Sequence, residues 1–396
     1  MPPRASSLIF WSSSALIAAE TLLFGLVVPA LPEFADKLSL SDSEAAMIFA
    51  LFPLGALLSS IVGAAMVEAL GRRPVMLISI VVMSAATVGF AYSEVVALFA
   101  LSRFMQGAAT GLAWTAALAA ISDVFPASEL GYRMSLAEAV GGAGGGLAGP
   151  VVGGIAIDLI GTRPTFLIAA AAPLIVGIPV LLSPETRHGR MAPSVRRLAA
   201  LRRVMQEPRA RVAAGALVGF AMVIGLVEPL LPLDLDRRLE LSAAMIGLVF
   251  GTLILSDLLT APIAGRWSDR RGRSAPIALG GALIAAALPL TALGPPPMVF
   301  GAVVVLGIGL GSFGAGIGAL MTEAVDAAGY AGQYGLSAGV MSAIFSLGAL
   351  VGPVVGAAAR TVLPYLATAA MLSAIILAAT IWMVRELAAA RETAPG

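Results

Sequence analysis

The chain has 396 residues, 59% of them hydrophobic and only 12% charged, with a mean hydropathy of +0.96; soluble domains average about 25% charged, so this sequence is not built for water. A net charge of +1 offers no basic face to a nucleic acid. The lack of cysteine excludes disulfides, thiolate metal sites and a cysteine nucleophile, and a single histidine, His188, excludes a multi-histidine metal centre.

Apolar blocks recur along the chain, each long enough at about 1.5 Å per residue to cross a hydrocarbon layer about 30 Å thick. They predict spans at 8–32, 44–68, 74–92, 95–122, 132–158, 164–183, 209–232, 242–266, 274–293, 297–322, 333–358 and 361–387. The first runs from Leu8 to Leu31, well past the usual core of a cleavable signal peptide. The fold class expected is an all-α membrane protein, with about twelve transmembrane helices in two pseudo-symmetric six-helix bundles. Alternate loops collect 18 of the 24 basic residues on one side, including eight arginines between Arg187 and Arg211, which places both termini in the cytoplasm. The polar stretch 184–208 divides an N-terminal bundle, 1–183, from a C-terminal one, 209–396. Within it, Leu198, Leu201 and Met205 share a helical face opposite arginines, the pattern of a helix lying on the cytoplasmic leaflet.

The halves repeat each other. Gly25-Leu-Val-Val-Pro-Ala-Leu-Pro32 corresponds to Gly225-Leu-Val-Glu-Pro-Leu-Leu-Pro232, Glu68-Ala-Leu-Gly-Arg-Arg73 to Asp269-Arg-Arg-Gly-Arg273, and Gly149-Pro-Val-Val-Gly153 to Gly352-Pro-Val-Val-Gly356. Such duplication is the architecture of carriers that rock two halves about a site near the midplane. Three motifs carry a resemblance to the major facilitator superfamily over essentially the whole chain. These are Gly265-Arg-Trp-Ser-Asp269-Arg-Arg-Gly272-Arg273, whose first-half copy has Ala64 and Glu68 instead; Arg103-Phe-Met-Gln106-Gly107 in span four; and the glycine-rich run from Gly141 through Gly149-Pro150 to Gly154 in span five. The last resembles the superfamily's antiporter signature, which implies export by exchange. Glu20, nine residues before Pro29, and Glu228-Pro229 resemble the acids of the drug:proton antiporters, and among these the vesicular monoamine transporters. Unlike those carriers, span two has no lysine, and the acids they place in spans ten and eleven fall near Ser312 and Ser342.

A charge at the bilayer centre costs roughly 2.5–3.5 kcal/mol on insertion scales, so each needs a partner, water or a function. Five stand within the spans: Glu20, Arg103, Glu138, Glu228 and Asp257. Glu20 and Arg103 fall at similar depths and are expected to form an ion pair that handles the proton, with Glu138 and Asp257 as further proton carriers. Glu20, Phe24, Trp114, Glu138 and Glu228 are the expected substrate wall, since an apolar cavity with few charged anchors suits an amphipathic cation. Glu68 and Asp269, beside Arg72, Arg73 and Arg273, are the expected cytoplasmic latch. Gly149 and Pro150 should seal the halves, so a bulky residue at Gly149 should impair exchange more than folding. The expected protein is a monomeric proton-coupled antiporter of the cell membrane, with a small-molecule substrate, protons and lipid as partners and no cofactor; a proton symporter or facilitator importing a nutrient is the competing reading.

Overall fold

The computed structural model describes residues 3–186, 202–330 and 334–392. Most of the amphipathic segment expected near 194–205 lies outside them. Among the described residues eleven helices are long and apolar enough to cross a membrane: α1 (Arg4–Lys37), α2 (Asp42–Leu70), α3 (Arg72–Ala91), α4 (Val96–Val124), α5 (Glu129–Ile160), α6 (Thr162–Leu182), α7 (Pro208–Leu239), α8 (Ala243–Arg271), α10 (Pro296–Tyr330), α11 (Val340–Arg360) and α12 (Tyr365–Ala389). Between α8 and α10, α9 (Ser274–Leu290) is shorter, at 17 residues. The spans read from hydropathy thus reappear as helices. Their ends run further than the apolar blocks: α1 extends to Lys37, because Phe34 and Ala35 are buried even beyond Pro32.

Local chemistry sets the breaks. Ser41 starts α2 through a capping box, its hydroxyl accepting from the Glu44 N–H while the Glu44 carboxylate accepts from the Ser41 N–H. The α2–α3 and α8–α9 corners turn on Gly71 (φ +100°) and Gly272 (φ +88°), repeat-related positions in a region that L residues avoid. In α5 the run Val140–Gly146 is a π-helix, a form that appears mostly as single-turn bulges at functional places.

By packing, the chain divides into two compact units, Met1–Met191 with Leu235–Gly251, and Ala192–Asp234 with Thr252–Gly396. The junction of α7 and α8 therefore packs with the first unit, although the sequence repeat places it in the second half. Within the first unit α2 and α3 lie on α4, and α1 lies along α5. Four buried phenyl rings, Phe34, Phe90, Phe99 and Phe166, fill one end. Toward the other, Ile9, Phe10, Ile17, Met76, Ile80 and Ile121 belong to a continuous apolar cluster.

The repeat is physical as well as textual. A Cβ on Gly149 would lie 2.5 Å from the Leu22 carbonyl oxygen, and one on Gly352 2.5 Å from that of Met222. Likewise a Cβ on Gly25 would meet Pro150 Cδ at 2.7 Å, and one on Gly225 would meet Pro353 Cδ at 2.9 Å. So α1 against α5 in one unit and α7 against α11 in the other are the same glycine-mediated contact. In both, backbones touch where no side chain fits.

Candidate functional site

The most buried charge sits where α1, α2 and α4 meet. Arg103 is fully buried on α4, and its Nη1 donates to Gln106 Oε1 at 2.7 Å. Gln106 in turn donates from Nε2 to the Leu23 carbonyl at 3.1 Å, tying α4 to α1. The guanidinium carbon lies 3.9 Å from the Phe49 ring centroid, 4.8 Å from Phe52 and 4.9 Å from Phe24. Three aromatic faces around one guanidinium supply the electrostatic company that hydrocarbon lacks, worth about 2 kcal/mol or more per desolvated contact.

Glu20 is also buried, 1% exposed, but elsewhere in the same bundle. It lies beside the Thr110 hydroxyl, and neither carboxylate oxygen meets a cation among the described residues. The expected Glu20–Arg103 ion pair is therefore not hydrogen-bonded in this structure. The reason is depth. Glu20 stands 17 residues before the end of α1, roughly 25 Å, whereas Arg103 stands seven residues into α4, roughly 10 Å. The two positions are level only for an α1 that ends at Pro32, as its apolar block predicts.

The other expected residues are distributed as follows. Phe24 does reach the Arg103 cluster, stacking on Phe52 with centroids 4.5 Å apart. Trp114, three turns further along α4, is half-buried against the apolar cluster of the first unit and does not join Arg103. Glu138 is exposed, two residues before the π-helical run of α5. Asp257 is half-buried on α8, its carbonyl oxygen 2.7 Å from where a Gly311 Cβ would stand. Glu228 is half-buried on α7 beside Pro229. Gly149 and Pro150 are both buried, in α5.

At the corner between α2 and α3 the buried Arg72 grips Asp123 at the end of α4, Nε to Oδ2 at 2.7 Å and Nη2 to Oδ1 at 3.3 Å. Glu185, just after α6, accepts from the backbone N–H of Arg72 (2.9 Å) and of Arg73 (3.1 Å), capping α3, while Thr186 donates to Asp123 (3.0 Å). The second unit repeats the design. Arg273 pairs with Asp269, donates to Ser268 at 3.2 Å and reaches Glu323 on α10 at 3.1 Å. Burial pulls the Arg273 pKa down, but its hydrogen bonds to Asp269 and Glu323 and their negative charge outweigh this and lift it above the ordinary arginine value. Of the expected latch acids, Asp269 thus pairs with Arg273, and Glu68 is exposed at the end of α2. Asp123 and Glu323 were missed. They stand 200 residues apart, the offset of the repeat, and that spacing was the signal. Phe49, Phe52 and Thr110 were missed as well, because an aromatic ring or a threonine is unremarkable within an apolar helix.

The family model of the Major Facilitator Superfamily matches the chain twice, at residues 14–233 and 213–396. The MFS-type transporter SLC18B1 of Rattus norvegicus is 26% identical over 360 residues, covering 85% of this chain and 76% of the relative. A probable vesicular acetylcholine transporter-B of Danio rerio is 25% identical, covering 68% of this chain and 57% of its own length. Among solved structures, a bacterial homolog of the human lysosomal transporter Spinster superposes with a TM-score of 0.69 at 15% identity, covering 98% of this chain and 96% of that one.

Proposed function

The chain belongs to the Major Facilitator Superfamily, and from that premise we propose that it is a proton-coupled antiporter expelling amphipathic, cationic organic molecules by alternating access. The observation that carries this reading is the Glu20 carboxyl, buried mid-helix beside the Thr110 hydroxyl with no cation paired to it among the described residues. A carboxyl without a fixed counter-ion responds to whichever cation or proton a conformational change brings near it. Exchange of a cation against a proton requires such a group.

Glu138 supports the same reading. It lies within α5 and is exposed, and an exposed carboxylate at membrane depth belongs in a water-filled cavity, not against lipid. Glu138 and Glu228 supply the negative charge for a cationic guest, Phe24 and Trp114 its apolar surface, and Asp257 a second proton carrier. Arg103 sets the field around α1. The Arg72–Asp123 and Arg273–Asp269–Glu323 networks, with Arg73 and Glu68 beside them, govern the cytoplasmic gate, and Gly149 and Pro150 keep α5 close to α1. The excess of basic residues in 184–208 and the alternate loops supports a cytoplasmic position for that segment and both termini, with the segment as the linker between bundles 1–183 and 209–396. The vesicular names of the relatives are consistent with an amine-like cargo, and the cell membrane is the expected site of a monomeric carrier.

Counterflow of cationic dyes in proteoliposomes, with and without a pH gradient, tests this. The wild type should accumulate dye against its gradient when a proton gradient is imposed. Glu20→Gln should lose that accumulation by at least tenfold while retaining dye–dye counterflow. Full pH-driven accumulation by Glu20→Gln would end the coupling role, and transport of neutral solutes down their gradient alone would favour a facilitator.

A further inference from the structure

At the loop face away from the N-terminus, the junction of α7 and α8 is held to the first unit by three kinds of contact. Asp42, in the first turn of α2, forms an ion pair with Arg237, in the last turn of α7; their side chains are 12% and 45% exposed. Asp158, near the end of α5, accepts a hydrogen bond at 3.1 Å from the backbone N–H of Ala244, the second residue of α8. That N–H is one of the donors a helix start leaves open, and the carboxylate also meets the positive end of the helix dipole. Beneath these polar contacts the backbones touch where Gly154 lies against Ala243 and Gly247 against the Pro150 carbonyl, and the Val151 side chain packs onto Gly251, with no space for a Cβ at any of the three glycines. One pair works against the others. Asp36 and Asp236, repeat partners 200 residues apart, repel each other, an effect that Arg237 beside Asp236 partly offsets.

These contacts are individually weak and separable. The ion pair is half in water, where such pairs contribute little. The glycines at Gly154 and Gly247 present backbone to backbone, and Val151 meets at Gly251 a residue with no side chain of its own, so the surfaces part without interlocked side chains on both sides. A like-charge pair biases the junction toward release. The α7–α8 junction is thus fastened by groups that water or a shifted charge can replace, on the face opposite the one that the buried Arg72–Asp123 pair secures.

We propose that Asp42, Arg237 and Asp158 are positioning residues of an outer latch: they hold the α7–α8 junction on α2 and α5 to keep the non-cytoplasmic side closed, and their release opens it. The inference rests on the alternating-access reading above, but its test needs no substrate and no proton gradient. Because the chain has no cysteine, Val151→Cys, against Gly251, introduces a single thiol beneath the latch. A membrane-impermeant maleimide applied from outside intact cells then reports opening. Asp42→Asn and Arg237→Gln should each speed labelling roughly threefold, the scale of an exposed ion pair, and the swapped pair Asp42→Arg with Arg237→Asp should return the rate toward that of the parent. Asp158→Asn, which acts through a different contact, should also speed it. Unchanged labelling in all three single variants would overturn the latch, as would a swapped pair no slower than its singles. Labelling reached only in inside-out vesicles would overturn its outer placement. Absence of dye counterflow with these labelling results intact would fault the substrate reading and leave the latch standing.

Discussion

Arg103 and Glu20 are both buried ionisable groups, yet their surroundings assign them different work. Arg103 is held by three aromatic rings and the Gln106 carbonyl oxygen, so its charge is built into the bundle. Gln106→Leu removes that acceptor and the bond to the Leu23 carbonyl together, and a lost hydrogen bond to a buried charge costs about 1.5–3 kcal/mol. Arg103→Lys keeps the charge but replaces a planar fork with a compact, strongly hydrated ammonium that cannot stack on three rings in the same way. Both variants should lower the melting temperature in detergent by several degrees. Glu20→Gln breaks no ion pair among the described residues and leaves the Thr110 hydroxyl an amide oxygen to meet, so it should leave the melting temperature unchanged while altering pH-driven transport. A fall in thermal stability as large as that of Gln106→Leu would make Glu20 a structural carboxyl and remove the basis for its coupling role.

The glycine-rich segment of α5 divides into glycines that packing requires and glycines that it does not. A Cβ on Gly145 would press on the Ala18 carbonyl and lie 2.7 Å from Thr21 Cβ, and one on Gly149 would lie 2.5 Å from the Leu22 carbonyl, whereas Gly142 has nothing within 4 Å. Overpacking against backbone costs about 1–3 kcal/mol because neither helix can yield locally. Gly145→Ala and Gly149→Ala should therefore lower expression and detergent stability, and Gly142→Ala should not; equal loss in all three would mean the segment responds to helix propensity and not to contact with α1. For Gly149 the contact with the Leu22 carbonyl predicts that substitution should disturb folding through α1 as well as exchange, and stability and exchange measured side by side decide which falls further. The helices were legible in the sequence because a long apolar block admits little else in a membrane, and the α1–α5 contact was legible in the repeated Gly-Pro-Val-Val-Gly. The π-helical turn at Val140–Gly146 was not, because consecutive glycines leave the backbone hydrogen-bond pattern to the neighbours that pack on it. Within the site, Glu20 and Arg103 were visible as charges in apolar runs, but their separation depended on where α1 ends.

Across the whole molecule, one sequence repeat has produced two loop networks of unequal strength. Arg72 and Asp123 have side chains 5% and 10% exposed, while Arg273, Asp269 and Glu323 are 21%, 68% and 39% exposed. Removing one partner of a buried pair strands the other charge and costs about 3–5 kcal/mol, whereas an exposed pair contributes about 0–1 kcal/mol and is screened by salt. The first network therefore belongs mainly to the stability of its own unit, with Glu185 and Thr186 fastened into it. The second is weak enough to break and re-form in each transport cycle. Asp123→Asn should lower the melting temperature markedly at low and at high salt alike. Glu323→Gln should leave it within about a degree, since an exposed pair is worth so little, yet change the rate of dye exchange, and raising the salt concentration should shift the wild-type rate toward that of the variant. The networks lie in separate units, so the stability losses of the double variant should add. A stability loss for Glu323→Gln equal to that for Asp123→Asn would show that burial does not set the division of labour, and would return both networks to a single symmetric role.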